Sequence, residues 1–129
     1  MKAILQGGEI PPDLVITYDD LHGLWGGLEI IIRGRGCGER REWAQGAAAP
    51  QVSETAIPQG KLLELIKLLI EHEAWAQQTP DRMPVPDESR ATLTISASGA
   101  TSTIWEWVND MAGNARLLQI KLKMSELIR

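Results

Sequence analysis

The single cysteine, Cys37, is the side chain in this sequence best suited to nucleophilic chemistry, and it stands between two glycines at what reads as a hairpin tip. Arginines close by in the sequence would favour its thiolate form. A catalytic thiol also needs a base, and neither His22 nor His72 has a spacing that implies proximity to Cys37. We therefore expect an accessible, reactive free thiol without a catalytic role.

Two segments carry residue types that bind metal ions. Asp19, Asp20 and His22 combine oxygen and imidazole ligands, but calcium loops need more carboxylates and a transition-metal site needs further ligands. Strand-ending Asp-Asp is also common turn chemistry. The segment at His72 lacks the second histidine of the His-Glu-x-x-His zinc motif, because Ala76 stands in that place. We expect no metal and no other cofactor.

Residues 33–42 are rich in arginine and glycine, which would suit a phosphate or RNA contact. The segment holds four arginines and two glutamates, which leaves a local charge of about +2. No Gly-x-x-x-x-Gly-Lys loop and no tyrosine or phenylalanine platform accompanies it. A solvated hairpin with ion pairs between its strands is the better interpretation.

Trp105 and Trp107 are two residues apart in a predicted strand, so both indoles point to the same face. If they are core, then Ile104 and Val108 face solvent. If Ile104 and Val108 are core, two indoles are left exposed, which is unusual without a partner. The third option is that both faces are covered. The cover is either a second copy of the chain or, within one chain, a helix on one face and the N-terminal segment or the Pro80–Pro86 loop on the other.

The elements that position these residues follow from periodicity and turn signals. Alternating apolar residues and glycine-rich turns predict three strands in the first third of the chain and a hairpin of two strands later. The five predicted strands are Leu14–Tyr18, Leu28–Arg33, Glu39–Gln45, Ala91–Ser98 and Thr101–Val108. Residues 46–57 read as a linker with a small-residue run, and residues 79–89 read as a stiff proline-rich loop.

Helical spacing appears twice. From Pro58 to about Gln78 a thin polar stripe, Lys61, Glu64, Lys67 and Glu71, interrupts an otherwise apolar surface, which indicates a core helix. A last helix follows Asn114, a suitable N-cap. The order β-β-β-α-β-β-α predicts an α+β fold in which an antiparallel sheet of about five strands carries both helices on one face.

Size and composition limit the classes of function. The 129 residues suit a single domain spanning 1–129, large enough to bury a core without a metal or disulfide. A net charge of −4 argues against nucleic-acid and anionic-membrane partners. One free cysteine, a short apolar start and no long apolar run predict a cytoplasmic protein.

Two dipeptides and the order of the elements give a resemblance to a known family. Gly26-Gly27 follows the first strand, and Pro86-Asp87 precedes the fourth. This layout resembles the emfourin-like inhibitors of thermolysin-like metalloproteinases. The resemblance implies a non-catalytic inhibitor that presents a loop such as Leu21–Gly27 to a protease cleft.

The sequence thus favours a small non-enzymatic domain that acts through protein–protein contact. The predicted contact residues are Trp105, Trp107, Trp25 and Leu24, and the strand Thr101–Val108 is expected to join a homodimer in the simplest case. The alternatives are the proteinase inhibitor that the resemblance implies, and an enzyme or ligand carrier with an unrecognised site.

Overall fold

The computed structural model describes residues 2–6, 9–21, 26–76, 79–83 and 88–128. Short 3₁₀ turns occur at Ala74–Ala76 and Val108–Gly113. The helices are α1 (Lys2–Leu5), α2 (Gln59–Glu71) and α3 (Ala115–Leu127), and the strands are β1 (Val15–Asp19), β2 (Gly27–Arg33), β3 (Cys37–Trp43), β4 (Gln51–Ala56), β5 (Arg90–Ala97) and β6 (Ala100–Trp107). No helix in this part of the chain is long and apolar enough to cross a membrane.

The strands form one sheet in the order β4-β3-β2-β1-β5-β6, and every neighbouring pair is antiparallel. The central strand β1 lies between β2 and β5, so that Val15 faces Arg33 on one side and Ser96 on the other. The predicted α+β class with an antiparallel sheet is confirmed. In the part of the chain that the structure describes, the sheet has six strands rather than about five, and the short helix α1 is an additional element.

The core lies on one face of this sheet. Cross-strand partners point to the same side, and the register groups the buried strand residues Ile16, Tyr18, Ile30, Ile32, Leu93, Ile95 and Ile104 on that side. Helix α2 adds Leu62, Leu65, Ile66 and Leu69, and helix α3 adds Leu117, Ile120 and Met124 to the same cluster. Both long helices therefore cover the inner face, and the opposite side is called the open face below.

Strand β4 corrects the predicted linker over residues 46–57. Five of its six residues are exposed, and Val52 keeps 53% of its surface accessible. A strand that is exposed to solvent on both faces needs no alternation of apolar and polar residues. The sequence of Gln51–Ala56 therefore carries no periodic signal that would predict a strand. Its pairing with β3 holds it in the sheet.

Helix α2 ends earlier than its apolar pattern predicts. The helix stops at Glu71 rather than near Gln78, and Glu73 takes a left-handed conformation with φ of 46°. The chain then makes the 3₁₀ turn that buries Ala74. The predicted N-cap of α3 is confirmed, because the Asn114 side chain accepts a hydrogen bond from the backbone N–H of Leu117 at 3.1 Å.

One glycine of the predicted Gly26-Gly27 pair has a clear steric requirement. Gly26 has φ of +82°, and a Cβ atom there would lie 2.1 Å from the carbonyl oxygen of Trp43. A side chain would therefore meet both backbone strain and a backbone clash. Only glycine lets the chain enter β2 this close to the end of β3.

Candidate functional site

The open face presents polar and aromatic side chains to solvent. Threonines occupy it on β1, β5 and β6, and they are half-buried or exposed. The register adds charged residues on β1, β2 and β3 and two tryptophans, Trp105 and Trp107, at the end of β6. Unlike the inner face, this surface is not part of the main apolar cluster.

The two tryptophans share the open face, and Ile104 points to the core. This arrangement agrees with the option in which both faces of the strand are covered. Trp107 is only 5% exposed although it lies outside the main cluster, whereas Trp105 is half-buried. The indole centroids are 4.8 Å apart with the rings at 82°, an edge-to-face pair. Val108 is not a strand residue, because it begins the following 3₁₀ turn with 37% of its surface exposed.

Two arginines stack against these rings. The Arg90 guanidinium lies 4.0 Å from the Trp105 centroid and 5.3 Å from that of Trp107, and Arg82 lies 5.3 Å from the Trp107 centroid. These distances are within the range of cation–π attraction. We call Trp105, Trp107, Arg82 and Arg90 the tryptophan corner. The cover over Trp107 thus comes in part from the chain's own 79–83 segment, as the intramolecular alternative predicts.

Arg82 is fixed by carboxylates on two sides. It donates a bidentate pair of hydrogen bonds to Glu88, at 2.8 and 2.5 Å, and a third from Nε to Asp110 at 2.9 Å. The Glu88 side chain has no exposed surface. The hydrogen bonds to Glu88 and Asp110 raise the pKa of the Arg82 guanidinium above its already high ordinary value, so it remains charged. This clamp joins the 79–83 segment to the turn that follows β6.

The indole N–H of Trp107 has no hydrogen-bond acceptor within the residues that the structure describes. A buried donor without a partner is costly. The contacts that hold Trp107 are its edge-to-face packing against Trp105 and the stacking of Arg82 and Arg90 on its ring.

The other predicted contact residues, Leu24 and Trp25, lie outside the described residues, and so does the dipeptide Pro86-Asp87 of the family resemblance. The described ends of the Leu21–Gly27 loop are Leu21 and Gly26-Gly27. These residues lie at the same end of the sheet as the tryptophan corner, because the last residue of β1 pairs with Thr92 of β5, which in turn pairs with Trp105 of β6.

Two of the four arginines in the arginine-rich hairpin, Arg40 and Arg41, form ion pairs among the described residues. Arg41 contacts Glu29 on the neighbouring strand at 3.2 Å and Glu39 on its own strand at 2.9 Å. Arg40 contacts Glu42 at 3.5 Å. The predicted solvated hairpin with cross-strand ion pairs is confirmed for Arg41 and Glu29.

Cys37 is the first residue of β3 and is exposed. It lines a surface cavity of about 420 Å³ together with residues of β2, β3 and β4. No cluster of three His, Cys, Asp or Glu side chains suited to a metal ion occurs among the described residues. His22 lies outside them, and His72 contacts Gln119 at 2.7 Å.

We expect Cys37 to react completely with a maleimide probe without denaturant, because its side chain is exposed. Cys37→Ser should change the free energy of unfolding by less than about 0.5 kcal/mol, as surface substitutions usually do. Mass spectrometry of the labelled protein and denaturant melts provide the two readouts. A thiol that reacts only in denaturant would contradict the exposed position.

Asp20, considered above as a metal ligand, organises a partly buried polar network. Its Oδ2 accepts the Tyr18 hydroxyl at 2.8 Å and lies 3.4 Å from the ammonium of Lys121 on α3. Its Oδ1 accepts the backbone N–H of Leu28 at 2.8 Å. The carboxylate therefore ties the end of β1 to the start of β2 and to α3, as strand-ending turn chemistry predicts.

The hydroxyl of Tyr18 makes stability depend on alkaline pH. Burial, helped by the charge of Asp20 beside it, raises the pKa of Tyr18 well above its usual value of about 10. The unfolded chain therefore loses this proton at about pH 10 while the folded chain keeps it. The resulting stability is fully present below pH 10 and is lost as pH rises further, by at most about 1.4 kcal/mol per pH unit.

We expect Tyr18→Phe to remove this one-proton dependence. Denaturant melts of the two proteins are compared between pH 9 and pH 11, a window around the ordinary tyrosine pKa of about 10. Lysine titration affects both proteins equally, so the difference between their free energies of unfolding isolates the contribution of the Tyr18 proton. Since Tyr18 is the only tyrosine, phenolate absorbance should also appear in the wild type only as it unfolds. Equal slopes in the two proteins, or phenolate in the folded state, would contradict the burial of this hydroxyl.

No protein-family model matches this sequence, and no curated protein is detectably similar to it.

Proposed function

We propose that this chain is a protein-binding domain whose contact surface is centred on Trp105 and Arg90 in the tryptophan corner. The observation that carries the proposal is the position of Trp105: half-buried on the open face of an edge strand, with a guanidinium stacked on its ring at 4.0 Å. Tryptophan and arginine are among the residues most enriched where binding energy concentrates.

The surroundings of Trp105 favour binding because they are ordered in advance. Trp107 packs edge-to-face against it, and the clamp between Arg82, Glu88 and Asp110 fixes the segment behind. A side chain that is already held loses less conformational entropy when a partner binds. Among the described ion pairs none involves Arg90, so its charge is left to attract a carboxylate of the partner.

A homodimer through the same strand is the narrower form of this proposal. The argument for a homodimer is the apolar character of both faces of Thr101–Val108. The packing of Ile104 in the core and the cover of Arg82 over Trp107 account for much of that character within one chain. Light scattering at several micromolar protein distinguishes self-association from binding to a different protein.

We place this binding in the cytoplasm, where a single free thiol such as Cys37 is stable.

The experiment compares two tryptophan losses on the same face. The wild type, Trp105→Ala and Trp43→Ala are each immobilised, and the amounts of protein that they capture are compared. Trp43 is a half-buried tryptophan on β3. The captured partner is then titrated by calorimetry. We expect Trp105→Ala to weaken binding about thirtyfold, the equivalent of about 2 kcal/mol, and Trp43→Ala to change it little.

The result that would overturn the proposal is equal capture and equal affinity for the wild type and Trp105→Ala, with circular dichroism showing that both are folded. The proposal would also be overturned if the wild-type protein is strictly monomeric and every protein that it captures is captured equally by Trp105→Ala.

A further inference from the structure

Strand β4 forms one edge of the sheet and is accessible from both sides. It pairs with β3 alone in the sheet order, and only Thr55 of its six residues is half-buried. The apolar cluster under α2 and α3 includes no β4 residue. This edge is therefore a surface on which a further strand could pair without displacing any described element of the sheet.

Hydrogen-bond alternation shows which backbone groups of β4 face outward. The N–H of Ile57 donates to the carbonyl of Gly36 at 2.7 Å, so the backbone groups of Ile57 point toward β3. In an antiparallel strand this direction alternates, so Thr55 and Ser53 also point toward β3. The N–H and C=O groups of Val52, Glu54 and Ala56 consequently point away from the sheet.

Natural edge strands are protected from further pairing by charged side chains, proline, bulges or a covering element. Among the described residues, this edge has one of these features, the charge of Glu54, and lacks the others. The register of β4 with β3 is continuous over Gln51–Ala56 without a bulge, and the strand contains neither lysine nor proline. Pro50 and Pro58 stand outside the strand on either side.

Glu54 is the charged residue of β4. Glu54 lies directly opposite Glu39, an unfavourable like-charge pair on the open face. Arg41 contacts Glu39 and Glu29, and none of the described ion pairs includes Glu54. A cation placed beside Glu54 would relieve this repulsion.

A cavity lies beside the outward-facing groups. Its volume is about 420 Å³, within the size range of ligand pockets, and residues of β2, β3 and β4 line it: Arg33, Cys37, Gly38, Glu39, Glu54, Thr55 and Ala56. Strand addition gains affinity from main-chain hydrogen bonds and specificity from pockets that receive alternate side chains. Arg33 also lines this cavity and Glu39 is already paired with Arg41, so Glu54 is the carboxylate that remains for a basic side chain of a bound strand.

We propose that β4 accepts an extended basic segment of a partner protein as a seventh strand, with a lysine or arginine of that segment beside Glu54. A second copy of this chain is a poor occupant. Two-fold pairing of β4 with itself places the two Glu54 carboxylates opposite or diagonally adjacent, and each copy carries a net charge of −4. This site is separate from the tryptophan corner and does not depend on it.

The test uses a soluble alternating Thr/Lys peptide long enough to span β4, with an alternating Thr/Glu peptide and a backbone N-methylated Thr/Lys peptide as controls. Amide NMR of the full chain reports both affinity and location. We expect the Thr/Lys peptide to shift the amide signals of β4 and to slow hydrogen exchange at Val52, Glu54 and Ala56. The two control peptides should bind more weakly.

Matched charge variants complete the experiment. Glu54→Gln should weaken binding about two- to fivefold, the range for an exposed ion pair. Glu42→Gln removes an exposed carboxylate from the opposite face of the neighbouring strand, and should change binding little. The proposal is overturned if β4 signals do not move at about 1 mM peptide, if the Thr/Glu or N-methylated peptide binds equally well, or if both variants behave alike.

Discussion

Replacing Leu69 with alanine is expected to lower the free energy of unfolding by about 2–5 kcal/mol. Leu69 has no exposed surface and lies in the apolar cluster where α2 packs on the sheet. The substitution removes buried methyl groups and leaves a cavity that a closely packed interior fills only in part. Ile66→Ala should have a cost in the same range, because Ile66 is buried in the same cluster.

The same helix provides a control for this prediction. Leu63 is 43% exposed whereas Leu69 is fully buried, so Leu63→Ala removes the same atoms from the same helix with a smaller loss of burial. Denaturant melts should give a change within about 0.5 kcal/mol for Leu63→Ala. Losses below that value for both Leu69→Ala and Ile66→Ala would place α2 on the surface and contradict the fold.

Replacing Asp20 with alanine is expected to cost about 2–5 kcal/mol. Two donors lose their acceptor at once, the Tyr18 hydroxyl and the Leu28 N–H, both of which are partly buried. A fully buried donor left unpaired costs about 1–3 kcal/mol. Lys121 also loses the carboxylate that it contacts from α3. The connection between β1 and β2 should loosen as well, because this carboxylate bridges it.

Two further variants test whether the loss comes from the network. Asp20→Asn keeps an oxygen for Leu28 and offers an amide N–H₂ group to the Tyr18 hydroxyl, so it should cost less than Asp20→Ala. In the Tyr18→Phe background the cost of Asp20→Ala should fall by at least about 0.5 kcal/mol, as expected for residues in one hydrogen-bond network. Additive costs in the double variant would contradict the proposed coupling.

The elements that bury an apolar face were predictable from the sequence. Strand β5 alternates Ala91, Leu93 and Ile95 with polar residues, and these three side chains are buried as that pattern predicts. The core position of α2 follows in the same way from its thin polar stripe. Strand β4 was missed because its register comes from β3 and not from any apolar pattern of its own.

The candidate site was predictable only in part. The shared face of Trp105 and Trp107 follows from their spacing, but no local pattern indicates that Trp107 is buried and Trp105 is not. That difference depends in part on Arg82, which reaches the corner from a distant loop and is oriented by Glu88 and Asp110. The network around Asp20 likewise depends on Lys121, which is far away in the sequence.

The central position of β1 has a consequence for the order in which the chain is synthesised. Strands β2, β3 and β4 can each pair with the strand made just before, as soon as they leave the ribosome. The other edge of β1 must wait for β5, whose Ser96 pairs with Val15. Until then a nascent chain exposes an unpaired strand edge beside the uncovered part of its apolar face, the kind of surface that aggregates or recruits chaperones. Truncation before β5 should therefore yield insoluble protein rather than a smaller folded domain.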